Sequence, residues 1–213
     1  MSVAVSLSEP RAIETRDDLV IEVKAELNRT DITDTEVKSA IQRAEARMNR
    51  ILRVPAMETI TGIDITDGVG ALPSDWLMLR GLYDADKQII PAVDPLAMFE
   101  AQTGARKVHS IVGGQLRVGP VSTEAVTAIY YAKIPALNVN QQTNWLLDSH
   151  ADVYFYAVLL ALESRIGNDD RLGLWKGAWD EVLAELKDAG RRDRFGGPLQ
   201  QRSIMTQVRG ARA

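Results

Sequence analysis

Ten consecutive apolar residues, from Val153 to Leu162, set the strongest limit on how this chain can fold. A helix apolar on every side has no face to give to water, so it belongs at the centre of a domain. It is too short to cross a bilayer, which takes about 20 residues. The helix is expected to start at a cap on Asp148 or Ser149 and to run to about Ile166, where Gly167-Asn168 breaks it. A further helix follows, capped by Asn168 or Asp169, with the stripe Leu172, Trp175, Trp179, Val182 and Leu186 and with Gly190 as its C-terminal stop. Trp175 and Trp179, four apart on that stripe, read as core.

Helical signals also fill the N-terminal part. Thr15 with Asp18 and Thr33 with Glu36 have capping-box spacing, in which the threonine accepts a free N–H and the acid reaches back. Leu19, Val23 and Leu27 mark the first helix. Val37, Ile41, Ala44, Met48 and Ile51 mark the second, which Pro55 ends. The other face of the second helix carries Lys38, Arg43, Glu45, Arg47 and Arg50 and is expected to meet water or another chain.

Between Met57 and Lys133 the composition shifts to Ile, Val, Thr and Tyr punctuated by Gly and Pro. Strands are expected around Ile60–Ile65, Gln88–Val93 and Val126–Ala132, with a turn at Leu72–Trp76 leading into Leu77–Tyr83, and a short helix from Asp94-Pro95 through Phe99. Gly113-Gly114 joins Val108–Val112 to Gln115–Val118 as a hairpin. The fold class is therefore α+β: mainly a helical bundle, with a small antiparallel insertion of four or five strands and an extended C-terminal tail. The expected organisation is an N-terminal arm over 1–14 and a domain over 15–190. Within that domain, helices occupy 15–54 and 146–190 and the β insertion covers about 57–133. A basic tail over 191–213 completes the chain.

Charge divides the chain unevenly. The net charge is −4, yet residues 191–213 hold six arginines against one aspartate, so the body is more acidic than the total indicates. A basic arm on an acidic body is suited to docking on an acidic partner. There is no cysteine, which excludes disulfides and thiolate metal sites. Met1–Pro10 lacks a basic segment followed by an apolar run, so synthesis in the cytoplasm is expected.

No catalytic constellation emerges. His109 falls in a strand and His150 in the first turn of a helix, and neither has a second ligand at metal-binding spacing. Asp17-Asp18 and Asp169-Asp170 are explained by helix starts. Asp64–Asp67 lacks the alternating ligands and distal glutamate of a calcium loop. Gly113-Gly114 and Gly68-Val69-Gly70 are not followed by a phosphate-binding helix. The expectation is no enzyme, no metal and no cofactor.

One ordered series of segments carries a resemblance. It consists of Leu72-Pro73-Ser74-Asp75-Trp76-Leu77, Ile111-Val112-Gly113-Gly114-Gln115-Leu116-Arg117-Val118, Tyr130-Tyr131-Ala132-Lys133-Ile134-Pro135, Thr143-Asn144-Trp145-Leu146-Leu147, Asp152-Val153-Tyr154-Phe155-Tyr156, and Asp169-Asp170-Arg171-Leu172-Gly173-Leu174-Trp175. In this order, over roughly residues 15–190, the chain resembles the head-to-tail connector (adaptor) proteins of tailed bacteriophages. The resemblance implies a structural virion protein of the neck, made in the host cytoplasm. It implies a homo-oligomeric ring of about twelve subunits with closed symmetry. One side would meet the portal protein and the other a stopper, nozzle or tail protein, with double-stranded DNA passing through the channel without specific binding. No membrane is involved.

Within that expectation the tail is assigned to the portal, through Arg191, Arg192, Arg194, Phe195, Arg202, Ile204, Met205, Arg209 and Arg212. Subunit contacts are assigned to Arg43, Arg47, Arg50, Trp76 and Trp145. Two alternatives stand beside it. One is another neck component, a stopper or tail terminator. The other is a nucleic-acid-binding regulator using the arginine-rich tail, whose affinity would fall steeply with salt.

Overall fold

A computed structural model describes residues 12–100, 107–167 and 169–194. Two helices open it, α1 (Arg16–Leu27) and α2 (Asp34–Ile51), and both capping boxes are present. Asp18 N donates to Thr15 Oγ1 at 3.1 Å and Glu36 N donates to Thr33 Oγ1 at 3.3 Å. A 3₁₀ turn at Pro55–Met57 then leads into the sheet. The strands are β1 (Glu58–Thr66), β2 (Val69–Ala71), β3 (Trp76–Tyr83), β4 (Val108–Val112), β5 (Gln115–Gly119) and β6 (Glu124–Ala132). A short α3 (Ala97–Glu100) lies between β3 and β4. The chain closes with α4 (Trp145–Ser149), α5 (Ala151–Ala161), α6 (Glu163–Ile166) and α7 (Leu172–Arg194).

The sheet is larger than the sequence indicates. All six strands join in the order β3-β6-β1-β2-β5-β4, every neighbour antiparallel. The overlooked strand is β2, and its cue is Asp67-Gly68. Both residues have positive φ, 51° and 75°, as a two-residue primed turn demands, and Thr66 faces Val69 across it. The Gly113-Gly114 hairpin is as expected, with φ of 59° and 77°.

The sheet curls until its two edges come near each other. Residues 88–93 link them without forming a named strand, where the sequence pattern indicates one. Ile90 N donates to Leu82 O of β3 at 2.8 Å, and His109 N of β4 donates to Pro91 O at 2.9 Å. Ile63, Ile65, Leu82, Ile90, Leu116, Val118, Val126 and Ala128 fill the inside of this barrel-like body.

A second, larger core lies among the helices. As the ten-residue apolar run requires, α5 is its axis and packs on α1, α2, α4 and α7. Val153, Tyr154, Val158 and Leu159 are fully buried. The expected single helix is instead three pieces. His150 leaves helical geometry (φ −145°, ψ 59°) between α4 and α5, and Leu162 marks the step into α6. The true cap is Asn144, whose Oδ1 accepts from Leu146 N at 3.1 Å and Leu147 N at 2.9 Å, and not Asp148 or Ser149.

At the C-terminal end the expectation of a stop at Gly190 is corrected. Helix α7 runs on through Arg194. Gly190 is there because α7 lies hard against the 3₁₀ turn: a Cβ on it would sit 2.8 Å from Pro55 Cδ. The glycine marks a close approach of backbones, not a helix end. Arg191, Arg192 and Arg194 are thus helical, and no tail begins at residue 191.

Candidate interaction surfaces

The connection from the barrel back to the helices is fastened by polar side chains of α2. Ile134 N donates to Asn49 Oδ1 at 2.9 Å, and Leu137 N donates to Glu45 Oε1 at 2.8 Å. The hydroxyl of Tyr154, from α5, donates to the same Glu45 oxygen at 3.2 Å and accepts from Asn144 Nδ2 at 2.8 Å. Asn144 Nδ2 also donates to Pro135 O at 2.6 Å. Burial pushes the Glu45 carboxyl above the usual range, opposed by the Leu137 and Tyr154 hydrogen bonds, and burial likewise raises the Tyr154 phenol.

Glu45 is therefore not on the solvent face expected of it. It lies four residues beyond Ile41, on the edge of the apolar stripe, and is 5% exposed. Only its position relative to that stripe could have revealed it. A charged residue type points to water unless a buried N–H requires an acceptor.

The arginines of α2 are exposed, as expected, but two of the three also serve this subunit. Arg43 donates to Ser39 Oγ at 2.9 Å and to Ala161 O at 3.1 Å, the carbonyl of the last residue of α5. The Arg47 guanidinium lies 4.1 Å from the centroid of the Trp179 ring. Trp179 and Trp175 are buried, as their stripe implies. For Arg50 no partner is found among the described residues, which leaves it the freest of the three.

Trp76 and Trp145 fall in different places. Trp76 stacks on Tyr130 with centroids 5.2 Å apart, and Tyr130 donates to Asp75 Oδ1 at 3.0 Å. Trp145 opens α4 and leans on the helical core, beside Pro55 and Gly190. Trp76 thus belongs to the barrel and Trp145 to the helical body.

At the end of α7, Arg191 pairs with Asp188 and Arg192 is exposed. Arg194 turns inward, donating to Tyr131 Oη at 2.7 Å and pairing with Glu58. Arg80 of β3 joins the same cluster, its Nε 3.5 Å from Glu58 and its Nη1 3.3 Å from Tyr131 Oη. Arg194 is thereby committed to fixing the last helical turn on the barrel. Phe195, Arg202, Ile204, Met205, Arg209 and Arg212 lie outside the described residues.

Beside this cluster a groove of about 510 Å³ opens between the outer edge of β3, residues 89–93 and β4. Trp76, Met78, Ile89 and Ile111 border it, and Met78 and Ile89 are 48% and 68% exposed. His109 borders it too, but its Nδ1 is bonded to Ile90 O at 2.8 Å and burial lowers its basicity, which gives it a structural role. Among the described residues no group of His, Asp and Glu is arranged to hold a metal ion. Nor is any helix there long and apolar enough to cross a membrane.

A family model described as SU10 adaptor protein matches residues 15–202. The chain belongs to that family. The match begins at the cap of α1 and continues past residue 190 through Arg202, farther than the resemblance in the sequence segments reaches. Membership makes this a phage adaptor, a structural and virion-associated class of protein, and no catalytic family is indicated. No curated protein matches the chain.

Proposed function

We propose that this adaptor sits in the neck of a tailed phage, as one subunit of a closed ring of about twelve copies. One side of the ring joins the portal and the other a stopper, nozzle or tail protein, and the genome passes through the middle. The observation that carries the proposal is the family match over residues 15–202, which takes in both the helical core and the barrel.

Several features support it. A ring built from identical subunits needs two unlike surfaces that complement each other. The α2 face with Arg43, Arg47 and Arg50 is one candidate, and the Trp76 side of the barrel and the Trp145 region are others. The basic run that starts in the last turn of α7 with Arg191 and Arg192 continues through Arg202, Arg209 and Arg212 and is assigned to the portal, with Phe195, Ile204 and Met205 as apolar anchors. An acidic body lets DNA slide past, since it has few free cations with which to displace counterions.

Light scattering tests this with the purified chain alone and mixed with a portal ring. Joining the portal in about twelve copies supports the reading. A chain that ignores the portal and shifts on double-stranded DNA, with an affinity that collapses as salt rises, overturns it in favour of a nucleic-acid-binding regulator.

A further inference from the structure

Helix α2 leaves a row of arginines on its exposed side. Arg43, Arg47 and Arg50 are four and three residues apart, which stacks them on one face of the helix. The exposed residues from Gln42 to Ile51 include no carboxylate to balance them. Inside the subunit Arg43 bonds to neutral acceptors and Arg47 lies on an aromatic ring. Among the described residues none of the three pairs with an acid, although the chain as a whole has a net charge of −4.

Helix α7 carries the same pattern with the sign reversed. Residues 43–50 read Arg-x-x-Ala-Arg-x-x-Arg, and residues 181–188 read Glu-x-x-Ala-Glu-x-x-Asp. Glu181, Ala184, Glu185 and Asp188 are all exposed. Asp188 pairs with Arg191, whereas Glu181 and Glu185 have no partner among the described residues. Leu174 lies on the same face two turns earlier and is 74% exposed. The acidic row ends one turn past Asp188, at Arg192.

The two rows do not pair within one subunit. Arg47 lies over Trp179, which is on the buried side of α7. Glu181, two residues further on, is turned about 200° around the helix and so faces away from the subunit.

We infer that the arginine row of α2 docks on the outer face of α7 in a second copy, helix against helix. The inference rests on the ring reading and names the contact that builds the ring. A basic face and an acidic face pointing in different directions on one subunit make a heterologous contact, the type that closes into a ring. Ala46 lies among the arginines and Ala184 among the acids, so neither row has a bulky side chain at its centre to keep the helices from packing. Nucleic acid would satisfy the arginines and leave Glu181, Glu185 and Leu174 unused, whereas a second copy occupies both faces at once. Exposed ion pairs are weak singly, so the rows set partner and register, and Leu174 extends the face with apolar area.

Thiol cross-linking of the full chain on a portal ring tests it, and with no native cysteine every cross-link is assignable. Ala46→Cys and Ala184→Cys chains are mixed, bound to the portal and treated with a short bismaleimide. The mixture should give covalent dimers in at least about tenfold greater yield than either variant alone. Arg47→Glu in the Ala46→Cys chain should cut that yield at least about fivefold, and Glu185→Arg in the Ala184→Cys chain should restore it. Arg47 and Glu185 are the middle members of their rows and face each other in either helix direction, and rescue from the other chain is not a folding effect. Equal yields from the mixture and the single variants, or no effect of Arg47→Glu, with about twelve copies still on the portal, overturn the inference and leave the ring standing. Failure of the unsubstituted chain to join the portal overturns the ring reading and the inference with it.

Discussion

Replacing Glu45 separates the two things a buried carboxylate can do, accept hydrogen bonds and carry charge. Glu45→Ala leaves the Leu137 N–H and the Tyr154 hydroxyl without their acceptor, a loss of about 1–3 kcal/mol for buried donors. It also removes one buried methylene, about 0.8 kcal/mol more. Relief from burying the carboxylate offsets part of this, so the expected net loss is about 1–3 kcal/mol. Glu45→Gln keeps an acceptor oxygen and nearly the same volume, and should lie within about 1 kcal/mol of the parent.

The pH dependence has a definite sign. The folded-state pKa of Glu45 is raised from 4.5 by burial, so the folded protein holds this proton more tightly than the unfolded chain does. Its contribution is fully present below that ordinary value and is lost as pH rises through the folded-state pKa. Glu45→Gln lacks this slope and should gain on the parent as pH rises. Urea denaturation from pH 4 to 8 reads all of this, with the m-value as a check on cooperativity. If Glu45→Gln costs as much as Glu45→Ala, or if Glu45→Ala costs under about 0.5 kcal/mol, the fastening of Leu137 by this side chain is refuted.

Three other substitutions or titrations follow from the same geometry. Gly190→Ala gains about 1 kcal/mol of helix propensity but forces a methyl to 2.8 Å from Pro55 Cδ; a net loss of about 1 kcal/mol is expected in thermal unfolding, and stabilisation would refute the close approach. Asn144→Ala removes the α4 cap and the donor to Tyr154 and Pro135, for about 2 kcal/mol in urea denaturation, whereas Asn144→Asp should recover the cap alone. The imidazole of His109 should titrate by NMR below its ordinary 6.5, because burial disfavours its charged form; stability associated with it is present above 6.5 and is lost as pH falls through the folded-state value, and a midpoint at or above 6.5 contradicts the burial argument.

What could be read in the sequence was what repeats locally. Both capping boxes, the α2 stripe, the Gly113-Gly114 hairpin and the buried α5 depend on residues three or four apart, or on two glycines between strands. What could not be read depended on partners far along the chain. Glu45 looks like a surface residue until Leu137 and Tyr154 arrive beside it. Gly190 looks like a helix stop until Pro55 is placed against it. Among the proposed surface residues, Arg47 and Arg194 proved to have internal partners in Trp179, Tyr131 and Glu58, which no spacing rule reveals. The missed β2 is a different kind of failure. Asp67-Gly68 is a strong local turn signal, but the strand after it is only three residues long and too short to show a period.

The pairing of Glu58 with Tyr131 places the first residue of the barrel's first strand beside the end of its last. A module whose entry and exit are hydrogen-bonded neighbours is joined to its host at one spot, like a leaf on a stem. Whatever happens at its far tips, at Asp67-Gly68 or Gly113-Gly114, need not propagate to the helices. A change of length at those tips is therefore expected to leave α5 and the helices wrapped around it undisturbed.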